Sequence, residues 1–176
     1  GYTAASMIND APIAVFDPSM GRIWKPENST KKFYGPTSLR KALTFSRNIV
    51  AIQLLKEMGI DKGIATGLRF GFTKEQLPPG LSLALGSGYA SLLQMARMYS
   101  VFANGGFLVD PYFIERIEAH DGKAIYQANP KIACASCDEA KHPEKNLAPR
   151  IIKPGISFIM NSLMRDVIRL GTATDA

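Results

Sequence analysis

The chain has 176 residues, of which 46% are hydrophobic and 20% charged, with two cysteines; 21 Lys and Arg against 15 Asp and Glu give a net charge of +6. That length and balance suit one globular domain or a large piece of one, and they exclude a disordered chain, a collagen-like repeat and a disulfide-dense mini-protein. No apolar run approaches the roughly 20 residues that a membrane helix needs. The only adjacent bases are Lys31-Lys32 and Arg40-Lys41, with no interleaved aromatics, so the charge does not mark a nucleic-acid interface.

Pro12 to Trp24 reads as a β-hairpin. Ile13 to Phe16 is one short apolar strand, Asp17-Pro18-Ser19-Met20-Gly21 has turn chemistry, and Arg22-Ile23-Trp24 starts the return. Pro26 to Gly35 is polar and irregular, a loop. Pro36-Thr37-Ser38 opens a helix with a hydroxyl available as N-cap, and Leu39, Ala42 and Leu43 share one face. A second apolar run from Ile49 to Met58 ends at Gly59. Ser46 and Asn48 are better caps than interior residues, which favours two helices broken at Ser46-Arg47-Asn48.

A short helix follows from Asp61 to Phe70, closed by Gly71. Leu77 to Gly88, rich in Pro, Gly and Ser, reads as loop. Ser91 with Gln94 fits a capping box, and Leu92, Met95, Ala96, Tyr99, Phe102 and Ala103 form the apolar stripe of a helix closed by Asn104-Gly105-Gly106. Phe113 to Ala119 and Ala124 to Tyr126 flank Asp121-Gly122, a two-residue hairpin signal. Asn129 to Arg150 is charged, lacks periodicity and reads as a flexible insertion. Pro154 leads into a last helix with Ile156, Ile159, Met160, Leu163, Met164, Val167 and Leu170 apolar, ended by Gly171.

Four groups of residues carry candidate chemistry. Ser46 and Asn48, two apart on a tight turn, can point a hydroxyl that passes protons and an amide that holds a peptide into one cleft. The triplet alone reads more simply as caps of the following helix. Ser29 to Lys32 and Ser38 to Lys41 match the spacing of a serine nucleophile with a lysine base. Ser29 lies in a polar loop, and nothing around Lys41 suggests the burial that would lower its pKa. Cys134-x-x-Cys137, with His142 nearby, lacks a second ligand pair for zinc and lies in a loop, leaving a local disulfide or two idle thiols. His120 adjoins the second hairpin turn, so a Ser-His-Asp triad is unpersuasive.

These residues have a familiar order. Trp24-x-Pro26-x-Asn28, Tyr34-Gly35-Pro36 and Leu39-Arg40-x-Ala42-Leu43-x-x-Ser46-x-Asn48 resemble the transpeptidase domain of class A penicillin-binding proteins. Ser82 to Ser87 and the run from Met95 to Gly106 continue the resemblance, and the pair Cys134/Cys137 resembles the Gram-negative 1A type of that family. The resemblance is collinear over nearly the whole chain, residues 1–176. It implies an α+β fold of the serine transpeptidase/β-lactamase type, with the helical subdomain and two peripheral β-hairpins contained here.

That family's site is built from S-x-x-K, a Ser-x-Asn motif and K-T-G. Only the second occurs in family order, as Ser46-Arg47-Asn48. The resemblance places the S-x-x-K before Gly1 and the K-T-G after Ala176, and it makes Ser29 and Ser38 decoys. The chain, which starts at Gly1 rather than Met, then reads as an excised piece, inactive alone and prone to self-association. The resemblance implies cross-linking of peptidoglycan stem peptides ending in D-Ala-D-Ala through an acyl-serine, and acylation by β-lactams in the complete domain. It also implies no cofactor, a lipoprotein activator as partner, and the periplasmic face of the bacterial inner membrane as location. A glycosyltransferase domain and a membrane anchor would lie outside this chain. Ser46 would relay a proton, Asn48 would bind the peptide carbonyl and help place the nucleophilic lysine, and Tyr34 would line the cleft. Two readings outside the family are a protein-docking subdomain and a basic module using the helices around Ser46 as a helix-turn-helix.

Overall fold

The computed structural model describes residues 1–17, 21–137 and 146–175. They form two compact units, one of residues 1–90 with 159–176 and one of residues 91–158.

The first unit opens with strand β1 (Met7–Asp10), which pairs antiparallel with β4 (Gly35–Ser38), Ile8 opposite Thr37 and Asp10 opposite Gly35. Between them lies the expected hairpin, β2 (Val15–Asp17) with β3 (Arg22–Trp24), in the register Val15 to Trp24. Its turn residues 18–20 fall outside the described residues. Gly35 to Ser38 is a strand up to the helix rather than a helix opening. Ser38 is nevertheless the N-cap of α1 (Leu39–Thr44), its Oγ accepting from the Lys41 N–H at 3.3 Å. The hydroxyl of that decoy pair is therefore bound to the backbone, one turn along its own helix.

The chain breaks at the expected place, and α2 (Asn48–Met58) follows, then α3 (Ile60–Arg69). Leu77 to Gly88 was expected to be loop throughout; Leu81–Leu85 forms a 3-10 turn within it. The core of this unit gathers on α2. Ile49, Val50, Ile52 and Leu55 of α2 are buried, and Val50 packs with Ile8 and Ala42 into one cluster flanked by Leu39 and Leu54. Burying side chains of this size stabilises by about 1.5–3 kcal/mol each. From the last helix, α5 (Pro154–Leu170), Asp166 accepts from the Arg40 guanidinium at 2.5 Å, and Ser162 Oγ lies 3.2 Å from the same guanidinium. The Thr172 N–H donates to the Thr44 carbonyl. These bonds hold the C-terminal part of α5 against α1.

The second unit begins with α4 (Leu92–Ala103), whose capping box is complete: Ser91 Oγ accepts from the Gln94 N–H, and Gln94 Oε1 accepts from the Ser91 N–H. The face of α4 departs from expectation. Leu92 (90% exposed), Ala96, Tyr99 and Ala103 lie outward, while Val101, outside the expected stripe, is wholly buried. The helix is apolar nearly all round, so periodicity does not single out one face. On the same helix the Arg97 Nε donates to the Val109 carbonyl and another of its nitrogens reaches Asp110 at 2.5 Å.

The second hairpin, β5 (Arg116–Glu118) with β6 (Ala124–Gln127), forms as read, with a register shift at Ile117/Glu118. Of the segment 129–150, residues 138–145 and so His142 fall outside the described residues. The remainder is tied down. Ile132 bridges Leu147, Phe107 bridges Arg150, and the Arg150 guanidinium stacks 4.1 Å from the Phe107 ring centroid. Cys134 and Cys137 are joined in a disulfide, which settles the choice left open between bond and idle thiols.

Two stability predictions arise here. Gly106 sits at φ +107°, and a Cβ built there would lie 2.3 Å from the Ile152 carbonyl oxygen. Gly106→Ala should therefore cost about 2–5 kcal/mol, summing overpacking and left-handed strain, read as a lower Tm. Asp110 has its carboxyl held below the ordinary range, first by Lys131 at 3.1 Å and then by Arg97. A carboxyl more acidic folded than unfolded gives its full stabilisation above the unfolded pKa near 4 and loses it as pH falls through the lower folded value. Asp110→Asn should flatten that acid limb, measured as Tm against pH; solvent around this half-exposed carboxyl keeps the effect small.

Candidate active site

The break between α1 and α2 is made by Ser46, which adopts φ +51°. Only glycine, and sometimes Asn or Asp, visits that left-handed region readily, and it costs other residues about 1–2 kcal/mol. The chain turns there through the Ser46 N–H to Leu43 carbonyl bond (3.2 Å) and the Arg47 N–H to Ala42 carbonyl bond (2.8 Å). Ser46 is exposed, and among the described residues its hydroxyl has no hydrogen-bond partner.

Neither Ser46 nor Asn48 caps α2, so the simpler reading of the triplet fails. The N-cap position is Arg47, without a side-chain cap bond. The cap comes from 21 residues away: Asn28 Oδ1 accepts from the Ile49 N–H at 3.4 Å. Asn48, the first residue of α2, instead donates from Nδ2 to the Glu27 carbonyl at 2.9 Å. That bond fixes its amide plane and leaves one N–H and the carbonyl oxygen for another partner.

Ser46, Arg47 and Asn48 stand on the edge of a cleft of about 440 Å³. Its walls are apolar, with Leu39, Ala42 and Leu43 of α1, Val50, Ala51 and Leu54 of α2, Ala84 and Leu85 of the 3-10 turn, and Met160 and Leu163 of α5. A pocket with apolar walls and a few polar groups at one edge is the ordinary form of a small-ligand site. Tyr34 is not in the wall and meets the cleft through Arg47, whose guanidinium lies 3.5 Å from the Tyr34 ring centroid, a close cation–π contact. The Tyr34 phenol is shifted below the usual tyrosine value, first by its hydrogen bond with Thr30 and then by Arg47.

Ser29 and His120 are exposed, in loop and hairpin-turn context, and neither lines this cleft. Among the described residues, no three His, Cys, Asp or Glu side chains are placed to hold a metal, and no helix is long and apolar enough to cross a membrane.

Residues 5–176 match the family model described as the penicillin binding protein transpeptidase domain. The chain belongs to that family. It is 39% identical, over its whole length, to penicillin-binding protein 1A of Pseudomonas aeruginosa, of which it covers 26%. It is 46% identical, over 78% of its length, to penicillin-binding protein 1A of Escherichia coli, of which it covers 16%. The chain thus spans about a quarter or less of these curated relatives. The crystal structure of penicillin-binding protein 1A from Haemophilus influenzae is 35% identical and superposes on 99% of the chain and 29% of that protein with a TM-score of 0.90. Penicillin-binding protein A of Mycobacterium tuberculosis, solved as an imipenem acyl-enzyme complex, is 18% identical, covers the whole chain and 41% of that protein, and shares the fold at a TM-score of 0.76. The fold is that of penicillin-binding transpeptidase domains, as the sequence implies. Nothing in these matches favours a docking module or a nucleic-acid-binding module.

Proposed function

We propose that the protein carrying this chain is a serine-type D,D-transpeptidase of peptidoglycan, and that Ser46 and Asn48 belong to its active site. The observation that carries the reading is the exposed Ser46 hydroxyl, without a hydrogen-bond partner among the described residues, held in a left-handed turn beside an anchored Asn48 at an apolar cleft. In this reading the nucleophilic serine comes from an S-x-x-K motif outside these 176 residues. Its Oγ gives its proton to the lysine of that motif as it attacks the carbonyl carbon between two D-alanines, and the C–N bond breaks. The leaving amine of D-alanine takes a proton from the Ser46 hydroxyl, which regains one from the neighbouring lysine. An acyl ester remains. An amine of a second stem peptide then attacks that ester, its proton passes back through Ser46, and the C–O bond breaks to free the serine.

Asn48, with its second N–H, donates to the amide carbonyl of the bound stem peptide and helps place the nucleophilic lysine. Arg47, with Tyr34 behind it, makes the polar edge of the stem-peptide site. β-Lactams, as cyclic amides, acylate the same serine. The chemistry needs no cofactor. The cell-wall substrate implies the periplasmic face of the inner membrane, with a lipoprotein activator as a partner.

The test is labelling of the full-length protein by a fluorescent penicillin. Ser46→Ala and Asn48→Ala should each slow acylation; loss of an aligned proton relay costs ~10² to 10⁴ in rate. Unchanged labelling of both folded variants would overturn the assignment.

A further inference from the structure

One motif residue is not used by the chemistry above. Asn28, the last residue of Trp24-x-Pro26-x-Asn28, is 2% exposed, and Asp10 beside it is wholly buried. Asn28 Nδ2 lies 2.8 and 2.9 Å from the two carboxylate oxygens of Asp10 and 2.8 Å from the Lys32 carbonyl. Two N–H bonds therefore serve three acceptors, one of them shared across the carboxylate. The other face of the same amide, Oδ1, takes the Ile49 N–H at the start of α2. Asp10 also accepts from the Tyr34 N–H at 3.3 Å. A buried carboxylate is rare unless paired, and among the described residues no Lys or Arg forms a salt bridge with this one. Its place on the inward side of β1, opposite Gly35, is set by the strand pairing.

We infer that Asp10 and Asn28 form a positioning clamp for the transpeptidase site, acting through Asn48 and the first turn of α2. The inference rests on the proposed function. The clamp fixes three things at once. It holds the loop carbonyl of Glu27, next to Asn28, onto which Asn48 is anchored. It holds the N-terminus of α2, on which Asn48 is the first residue. It holds the backbone of Tyr34, whose ring carries Arg47. In the mostly polar loop from 25 to 34 the buried residues are Pro26 and Asn28, and Asn28 is the one whose side-chain bonds tie the loop to β1 and α2. A fixed amide matters because a misplacement of about 1 Å in a reacting assembly costs roughly 10²-fold in rate.

The test uses the full-length protein and the second-order rate of acylation by a fluorescent penicillin. Asn28→Ala strands a buried carboxylate and is liable to unfold, so the informative variant is Asp10→Asn, which keeps an acceptor for Asn28 at the same size. Asp10→Asn, folded by circular dichroism and thermal melting, should acylate roughly 10- to 100-fold more slowly. Combined with Asn48→Ala it should slow acylation by a smaller factor than in the wild-type background, because the part of the clamp's effect that runs through Asn48 has nothing left to position. A distant structural effect would instead multiply the two losses, and that result would overturn the clamp, as would wild-type acylation by folded Asp10→Asn. If Asn48→Ala alone acylates normally, the reading of Asn48 itself falls and the clamp falls with it.

Discussion

Replacing Ser46 by glycine should abolish most of the acylation by penicillin while leaving the protein as stable as before or slightly more so. The two effects separate because they arise from different atoms. The hydroxyl is the only group removed that could carry a proton, and its loss costs ~10² to 10⁴ in rate, or about 3–5 kcal/mol of barrier. The backbone at φ +51° costs serine about 1–2 kcal/mol. Glycine relieves that cost and loses about 0.5–1 kcal/mol through the greater freedom of its unfolded chain, so the net change lies between zero and ~1.5 kcal/mol in favour of the variant. No hydrogen bond to the hydroxyl is given up, since among the described residues it has none. The measurement is a fluorescent-penicillin time course beside a thermal melt of the full-length protein. Near-normal acylation at an unchanged Tm would remove Ser46 from the mechanism. A large fall in Tm would mean that the hydroxyl has a structural partner.

The strain at Ser46 also explains why the helical hairpin was readable and its details were not. A break between α1 and α2 follows from residue types that cap rather than continue a helix, and the sequence places it at Ser46-Arg47-Asn48. The identity of the cap does not follow, because Asn28 reaches the Ile49 N–H from another part of the chain. Local propensity cannot see a partner 21 residues away. The capping box at Ser91 and Gln94 was legible because both halves lie within one turn. The rotation of α4 was not, because its apolar residues surround the helix and the buried one, Val101, lies off the stripe that the spacing marks.

Strands β1 and β4 were missed for a related reason. Residues 7–10 alternate outward and inward as a strand should, but one inward residue is Asp10 and its partner strand is Gly-Pro-Thr-Ser. Neither segment has the β-branched, apolar alternation that marks a half-buried strand. The proposed catalytic pair was legible as chemistry; the clamp beneath it was visible only as an asparagine in a motif.

The largest stability loss should come from Asn28→Ala. The substitution removes both donors from Nδ2, leaving the Asp10 carboxylate with the Tyr34 N–H at 3.3 Å as its remaining bond among the described residues. It also leaves the Lys32 carbonyl and the Ile49 N–H without their partner. Removing one member of a buried pair that includes a carboxylate costs about 3–5 kcal/mol, a large share of the 5–15 kcal/mol by which proteins are typically stable. Asp10→Asn should cost less, about 1–3 kcal/mol, because one carbonyl oxygen remains as acceptor and no charge is left stranded, while the new amide N–H faces other donors. The decisive comparison is the double variant. If the penalty of Asn28→Ala is the stranded carboxylate, then Asp10→Asn added to it should raise the Tm above that of Asn28→Ala alone, although each change by itself is destabilising. A Tm that falls further in the double variant would mean that the loss comes from the cavity and the uncapped helix rather than from Asp10. The pair would then be two independent bonds and not one unit.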